Sequence, residues 1–425
     1  MDNHTRKLLN LTDKSIIFEK DWLTEATIRG RRSNIIRGRL TSPDRICPSC
    51  HQNTCVKNGT YTTKTQLPEF NRVTTYLELK RERYLCKECH TTFSADTALV
   101  DDYCHISKTL KYQIALDLKE DRSRKEIARF HHVSDNTVQR VLYDFTNHCL
   151  TNFQHLPKVL CVDEFKSTKS CQSGMSFICA DAESKKIIDI LPDRRLFSLI
   201  KYFLKYSRKE RLKVKFLVMD MNANYGGLLK TVFPHAEIVT DRFHIIQHIN
   251  RSFNQLRIKE MNQLKRYDNE EAKQYRRIKK YWKLFLKDSS QLSATTYSNY
   301  PLFNKSMTQV GVIEELLSYN STIKIAYDYI QELKYAYETK DSDLFLELTH
   351  SISNELPKEF KAKFKTFQTF RQGVTNALNY SYSNGFLEGI NNRIKAIKRT
   401  AYGYRNFLTF KRRIFLIQGQ SFQFN

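Results

Sequence analysis

Two aspartates stand where apolar runs stop: Asp163 ends VLCV and Asp220 ends FLVM. If both runs are strands, both carboxylates emerge at C-terminal strand ends, and neighbouring strands bring them to one spot. Close carboxylates repel unless a cation holds them, and hard Mg²⁺ prefers oxygen ligands of this kind. The chemistry indicated is two-metal work on a phosphodiester. A third acid is best sought on a helix, and Glu388 lies in NGFLEGINNRIKAIKRTAYGYRNF. There Leu387, Ile390, Ile394 and Ile397 form an apolar stripe at helical spacing, while Glu388, Asn392, Lys395 and Arg399 form a second stripe on another face. Such a face offers an acid to a metal and then amide and basic groups to a DNA backbone. Asp241-Arg-Phe-His244 also ends a strand-like run and is a supporting or DNA-facing element. Taken singly, each acid reads better as a solvated or capping carboxylate, and Glu164, Asp181, Asp189 and Asp193 stay open as substitutes. Joint placement carries the argument.

Four of the ten cysteines fall in two pairs, Cys47-Pro-Ser-Cys50 and Cys86-Lys-Glu-Cys89, with 35 residues of β-type text between them. Each pair bites one side of a tetrahedral Zn²⁺, as the two knuckles of a zinc ribbon do. A module this small has little core, so the metal is expected to supply much of its stability. His51 and His90 follow the second Cys of each pair, where ribbons often carry Gly for a left-handed turn, which implies strained knuckles or, as an alternative, a histidine ligand. Cys55, Cys104, Cys149, Cys161, Cys171 and Cys179 read as buried small hydrophobes.

SRKEIARFHHVSDNTVQRVLYDF reads as a helix-turn-helix. Ile127, Ala128 and Phe130 give the first helix an inner face, Val133 fills the turn, Ser134 or Asp135 caps the second helix, and Val138, Val141 and Leu142 line its inner side. Asp135, Asn136, Gln139 and Arg140 then face outward toward base edges and phosphates. An ordinary helical hairpin within a larger core is the alternative. Arg29, Arg31, Arg32, Arg37 and Arg39 form a basic cluster that fits a solvated face and a phosphate-contacting arm equally well.

The elements that must position these residues follow from the text between them. At 425 residues the chain holds two or three domains. Its composition is globular, with 40% hydrophobic and 12% aromatic residues. Lys and Arg number 70 against 45 Asp and Glu, a formal excess of 25 positive charges that makes nucleic acid the first expected partner. No apolar run approaches the roughly 20 residues a membrane span needs, and the start has no signal-peptide core, so a cytoplasmic protein is expected. The boundaries read as an N-terminal segment (1–45), a zinc ribbon (46–100), a helix-turn-helix (101–150), the first part of an α/β catalytic core (151–250), a helical insertion (251–380) and the core's C-terminal helical part (381–425). Strand-like runs VLCVDEF, MSFICAD, KIIDIL, VKFLVMD and AEIVTD give the α/β pattern of the core.

From about residue 45 to 415 the chain resembles bacterial insertion-sequence transposases of the ISL-three family, of the DDE type. The resemblance rests on the cysteine pairs with RERYLCKECHTTFS, the helix-turn-helix, CVDEF, MDMNANYGGLLKTVFPHAEIVTDRFH and SNGFLEGINNRIKAIKRTAYGYRNF. It implies a multidomain α/β protein in which an RNase H-like catalytic domain carries the triad Asp163, Asp220 and Glu388 around Mg²⁺, with Mn²⁺ as a substitute. The 168 positions from Asp220 to Glu388 agree with the long helical insertion it also implies. Asp241 and His244 match a D-x-x-H element of related groups, whereas His51 and His90 depart from the knuckle pattern. The expected activity is cleavage at terminal inverted repeats and strand transfer into target DNA, by a homo-oligomer assembled on double-stranded DNA. Two other classes compete: a zinc-ribbon transcription regulator that needs no triad, and an RNase H-like nuclease acting on structured nucleic acid.

Overall fold

The computed structural model describes residues 1–425 apart from 43, 148–150, 172–173, 222–224, 265–269 and 420–425. The chain forms two compact units, Met1–Leu150 with Ile394–Asn425, and Thr151–Arg393.

The first unit opens on a short helix, α1 (Asn3–Leu8), followed by two hairpins that share one sheet. β1 (Ile16–Ile28) pairs antiparallel with β2 (Arg31–Leu40), β3 (Cys55–Phe70) pairs antiparallel with β4 (Val73–Cys86), and β2 pairs parallel with β4. The short β5 (Thr92–Ser94) adds to β4. Both hairpins close through two residues, Arg29-Gly30 and Asn71-Arg72, all with φ between 50° and 76°. Positive φ at both central positions is what lets a two-residue turn follow the strand twist. Inward residues Ile16, Ile36, Leu40, Leu67, Leu77, Leu79 and Tyr84 form a core with Leu11. Residues 1–45, expected as a segment separate from the ribbon, therefore belong to the ribbon's own sheet. A two-stranded hairpin alone is marginal in water, and pairing β2 with β4 gives it a buried face.

Three helices follow, α2 (Lys108–Asp117), α3 (Arg124–Phe130) and α4 (Asp135–Thr146). Each is capped by a serine, Ser107, Ser123 and Ser134, whose hydroxyl accepts the N–H of Leu110, Glu126 and Thr137 respectively. Ile127, Ala128, Val138, Val141 and Leu142 meet Leu110, Ile114 and Leu118 in a common core, while Phe130 is about half exposed instead of lining the inner face.

In the second unit, β6 (Val159–Lys166), β7 (Met175–Asp181), β8 (Ile187–Leu191), β9 (Phe216–Met219) and β10 (Glu237–Thr240) form a mixed sheet in the order β10-β9-β6-β7-β8. β6, β9 and β10 run parallel, whereas β7 is antiparallel to β6 and to β8. This agrees strand for strand with the five runs read from the sequence, and a mixed α/β sheet fits the RNase H-like core that the resemblance implies. β6 is central, so Val159 to Val162 are buried and the run is continuously apolar. Helices α5 (Leu196–Phe203), α6 (Arg208–Arg211) and α7 (Gly226–Thr231) connect the strands, and Leu199, Phe203 and Leu228 pack against Leu160, Val162 and Leu217.

A helical region follows: α8 (Arg242–Leu264), α9 (Glu270–Lys280), α10 (Trp282–Phe285), a small hairpin of β11 (Ser298–Tyr300) and β12 (Lys305–Met307), then α11 (Gln309–Leu317), α12 (Ser321–Glu338), α13 (Ser342–His350) and α14 (Lys358–Thr369). Ring contacts among Tyr329, Phe360, Phe364 and Phe367 hold its later helices together. Helix α15 (Arg371–Asn379), inside the span expected for the insertion, instead covers β10. Its buried Asn376 donates to Ile238 O at 2.8 Å and to Glu237 Oε2 at 3.1 Å, which satisfies a carbonyl on the edge strand.

Helix α16 (Gly385–Thr400) contains the division between the units, and α17 (Phe407–Ile417) lies in the first. Residues 381–425, expected to stay with the catalytic core, are thus split. Arg412 Nη1 donates to Tyr143 O at 2.9 Å and Thr146 Oγ1 at 3.2 Å, and Leu416 enters the helix-turn-helix core. The physical reason is that α4 has an apolar side that α2 and α3 do not cover.

Gly373 lets α15 approach the sheet: a Cβ there would lie 2.7 Å from Thr240 Oγ1 and 3.1 Å from Ile238 Cγ2. Gly373→Ala should therefore destabilise the second unit by about 1–3 kcal/mol. A thermal melt that matches the wild type would show that the contact is not tight.

Candidate functional site

β6, β9 and β10 are parallel, and Asp220 and Asp241 directly follow the ends of β9 and β10. Asp163, expected at a strand end, instead lies two residues past the stretch of β6 that pairs with β9, while β6 runs on to Lys166 against β7. Asp163 lies within β6; its Oδ1 accepts the Glu164 N–H at 2.7 Å and its Oδ2 accepts Asn391 Nδ2 at 2.7 Å. His244, in the first turn of α8, lies between the other two, with Nδ1 3.8 Å from Asp220 Oδ2 and Nε2 3.7 Å from Asp241 Oδ2. Asp241 is 2% exposed and accepts the Asn384 N–H at 3.2 Å and the Ser383 hydroxyl at 3.3 Å. Burial pushes the Asp163 carboxyl above the usual aspartate range; the Glu164 N–H and His244 oppose this, and the charges of Asp220 and Asp241 reinforce it.

Glu388 occupies the exposed first turn of α16. Among the described residues no hydrogen bond or ion pair joins its side chain to Asp163 or Asp220. It is one turn before Asn391, which does touch Asp163, so the two share a side of the helix. Asn391 and Asn384 are the residues that sequence reasoning missed. Asn384 Nδ2 donates to Val162 O at 2.8 Å and more weakly to Val218 O at 3.4 Å. Both asparagines are at least nine-tenths buried, 7% and 4% exposed, and each has an Oδ1 without a hydrogen-bond partner among the described residues. The only signal for them was their position flanking Glu388 by three and four residues.

The substitutes considered for the triad are committed elsewhere. Glu164 accepts from Tyr225 Oη and pairs with Arg194. Asp181 caps its own turn through Ser184, Asp189 accepts the Tyr202 hydroxyl at 2.8 Å, and Asp193 holds Arg195 and Ser198. The groups at this edge are oxygen donors, the type a hard divalent cation takes, although among the described residues the acids do not close into a group of three within one ion's reach.

In the first unit the ligand atoms of Cys47, Cys50, Cys86 and Cys89 all lie within 4.8 Å of one another, the only group of this kind among the described residues. The two knuckles repeat one geometry: His51 N donates to Cys47 O at 2.9 Å and His90 N to Cys86 O at 3.1 Å. His51 and His90 have φ of 60° and 55°, the left-handed conformation their positions demanded, which disfavours any residue but glycine. Neither histidine belongs to the ligand group. The Thr91 hydroxyl and N–H hold the Cys89 thiol down to about 6, whereas at Cys50 the Gln52 N–H is outweighed by burial and by Cys89, Cys86 and Cys47, which push that thiol up to about 12. Cys55, Cys161, Cys171 and Cys179 are buried as expected, Cys104 is half-buried, and Cys149 lies outside the described residues.

On α4, Asn136 and Arg140 are exposed. Gln139, expected to face DNA, is instead half-buried: Arg124 Nη1 donates to its Oε1 at 2.6 Å, and its Nε2 lies 3.4 Å from Tyr143 Oη. Asp135 is likewise paired with Arg124 at 3.1 Å. Asn392, Lys395 and Arg399 are all exposed on α16, opposite its buried stripe of Leu387, Ile390, Ile394 and Ile397.

The chain matches three family models in order. Residues 43–89 match the zinc-finger of transposase IS204/IS1001/IS1096/IS1165, residues 96–146 the helix-turn-helix domain of transposase family ISL3, and residues 160–414 the transposase model of that family. Over 337 residues it is 23% identical to the transposase for insertion sequence element IS1001 of Bordetella parapertussis, covering 78% of each chain. Over 120 residues it is 39% identical to a protein of Lactococcus lactis subsp. lactis described as an ATP-dependent protease, covering 28% of this chain and 38% of that one. So short a match gives no ground for carrying the protease description over.

The sheet's own core changes what zinc is expected to do. Chelation should expose the backbone amides of the two knuckles, residues 47–52 and 86–91, to hydrogen exchange, while Ile35, Leu77 and Leu79 in the sheet stay protected. Loss of protection throughout the sheet would mean that the metal, not the core, holds it.

Proposed function

Because the chain belongs to the ISL3 family of transposases, we propose that it cuts and joins DNA at the terminal inverted repeats of an insertion sequence, using Asp163, Asp220 and Glu388 as a DDE triad. The observation that carries this reading is the convergence of Asp163 and Asp220 on one sheet edge, with the helix that bears Glu388 tied to Asp163 through Asn391. The zinc ribbon and helix-turn-helix ahead of the sheet supply DNA binding.

Asp163, Asp220 and Glu388 would hold Mg²⁺, with Mn²⁺ as a substitute; bound there, the ions polarise phosphoryl oxygens and activate the attacking oxygen. The protein's own groups prepare that edge. Asn391 and the Glu164 N–H fix both oxygens of Asp163. Asp241 anchors the chain entering α16 through Ser383 and Asn384. His244 faces Asp220 and Asp241 at once, 3.8 Å from one and 3.7 Å from the other. In the first reaction a water oxygen attacks phosphorus and the bond to the 3′ oxygen breaks, leaving a 3′-hydroxyl. In the second that hydroxyl attacks a target phosphorus and displaces another 3′ oxygen, so one site serves both. Asn392, Lys395 and Arg399 along α16 are suited to phosphates. Asn136 and Arg140 on α4 are suited to bases and backbone.

One helix-turn-helix per chain and two ends per element support a homo-oligomer on DNA. No helix among the described residues is long and apolar enough to cross a membrane, and action on chromosomal DNA in the bacterial cytoplasm is the setting we propose.

On duplexes carrying the element's terminal repeat, Mg²⁺-dependent cleavage should fall on the order of a thousandfold or more in Asp220→Ala and Glu388→Ala, with binding retained. Cleavage that survives either change would remove that residue from the triad. Asp163→Asn should be equally inactive yet more heat-stable than the wild type at neutral pH without added Mg²⁺. The Asp163 pKa is raised in the folded state, so the stability of its protonated form is present below the unfolded pKa and lost as pH rises through the folded one. Asparagine removes that loss; a lower melting temperature for Asp163→Asn would contradict it.

A further inference from the structure

The five arginines of the N-terminal cluster separate into two groups. Arg37 and Arg39 lie mid-sheet and are paired, Arg37 with Glu78 at 3.4 Å and Arg39 with Glu82 at 2.5 Å. Arg29, Arg31 and Arg32 lie at the tip of the β1–β2 hairpin, where among the described residues only Arg32 has an acidic partner, Glu25 at 2.6 Å. The parallel pairing of β2 with β4 begins at Ser33 and Thr74, so the tip of the β3–β4 hairpin, with Arg72, ends at the same edge of the sheet. Arg29, Arg31 and Arg72 are exposed, and no acid pairs with any of them among the described residues.

This edge is fixed against the helix-turn-helix. Buried Gln66 of β3 donates through Nε2 to His131 O at 2.8 Å, its N–H donates to His105 O at 2.8 Å, and its carbonyl accepts the Ser107 N–H at 2.9 Å. Arg31 hydrogen-bonds His132 in the turn between α3 and α4. Between the tip and α4 runs a cleft of about 540 Å³, with Ile28 and Arg29 on one wall and Ser134, Thr137 and Arg140 on the other. Lys111 also lines it but is neutralised by Asp101 and Asp144. Arg140 has no acidic partner among the described residues and, like Arg29, turns an uncompensated cation to the cleft.

We propose that the two hairpin tips form a second contact on double-stranded DNA, in which Arg29, Arg31 and Arg72 grip the phosphate backbone beside the groove that α4 enters. Duplex DNA is the occupant because the cleft is continuous with the outward face of α4, and because three guanidiniums without an acidic partner among the described residues, on a rigid edge, match a row of phosphates. Arg29 and Arg72 occupy left-handed turn positions that favour Gly or Asn, and neither makes a side-chain hydrogen bond or ion pair within the fold among the described residues. The proposal rests on α4 being the helix that reads DNA.

The test is binding of the full-length protein to a 30-bp duplex of unrelated sequence, followed by fluorescence anisotropy across a KCl series. Each lost phosphate contact lowers the slope of log affinity against log salt by about 0.9, so Arg29→Ala, Arg31→Ala and Arg72→Ala together should lower it by about 2–3. Their replacement by Lys should largely restore it. Arg37→Ala removes one charge from the same sheet but from a paired site, and should leave the slope near the wild-type value. Arg29→Ala and Arg72→Ala singly, at positions without internal partners, cover the case in which the triple variant does not fold. An unchanged slope in the alanine variants, or an equal fall in Arg37→Ala, overturns the proposal. Asn136→Ala with Arg140→Ala separates the two readings: if it weakens binding while the hairpin variants do not, α4 reads DNA and the tips do not. If no variant has an effect, the assignment of α4 falls, and this contact with it.

Discussion

The side-chain amide of Asn384 sets the geometry of the acidic edge. It arrives far along the chain, after the whole helical insertion, and donates to the carbonyl of Val162, the residue just before Asp163. A weaker bond reaches Val218 on β9, two residues before Asp220, and its backbone N–H is held by Asp241. One buried residue thus fixes the start of α16 against all three parallel strand ends. Buried carbonyls left without this donor would cost about 1–3 kcal/mol each, so the start of α16 is not free to drift. Because the helix is rigid from that point, Asn391 reaches Asp163 two turns later, and Glu388 is held one turn short of it.

That edge and the knuckle cluster obey the same electrostatic logic. Three carboxylates meet at one, four thiols at the other, and each set repels itself when ionised. The protein compensates in different ways. At the edge it supplies a histidine between two acids and an amide on the third. At the knuckles it aims donors at sulfur: the Thr91 hydroxyl and N–H act on Cys89, and the Cys89 and Glu88 N–H groups on Cys86. The knuckles also do not stand alone: β3 and β4 extend from them into a sheet whose Leu77, Leu79 and Tyr84 are buried, which gives the metal-binding end a mechanical base.

Gln66 plays the corresponding part in the DNA-binding unit. With three polar groups engaged, it joins the sheet to the segment before α2 and to the turn after α3. Sheet and helix-turn-helix therefore present their surfaces as one body, which matters for any duplex long enough to touch both. The C-terminal helix α17 closes the same unit from the far end of the sequence, with Arg412 and Arg413 spending their hydrogen bonds on backbone carbonyls of α4 and the α2–α3 loop.

Much of this was legible in the sequence, and for a local reason. The zinc knuckles follow from spacing, the five strands of the α/β sheet from apolar runs, the helix-turn-helix from its caps and inner faces, and the α16 stripe from helical periodicity; each depends on residues a few positions apart. Asp163 and Asp220 were readable because the end of an apolar run is a local feature, although β6 continues past Asp163 to Lys166, and parallel pairing then carried both to one edge. What tertiary structure alone decided involves partners distant in sequence. It joined residues 1–45 to the ribbon through β2 and β4, returned α15 to the sheet, and sent α17 to the helix-turn-helix. It engaged Gln139 with Arg124, separated tip arginines from mid-sheet ones, and made Asn384 and Asn391 part of the acidic edge. An asparagine three residues from an acid carries no sign of whether it will meet water or a carboxylate 228 positions away; only the packing of the helix against the strand decides that.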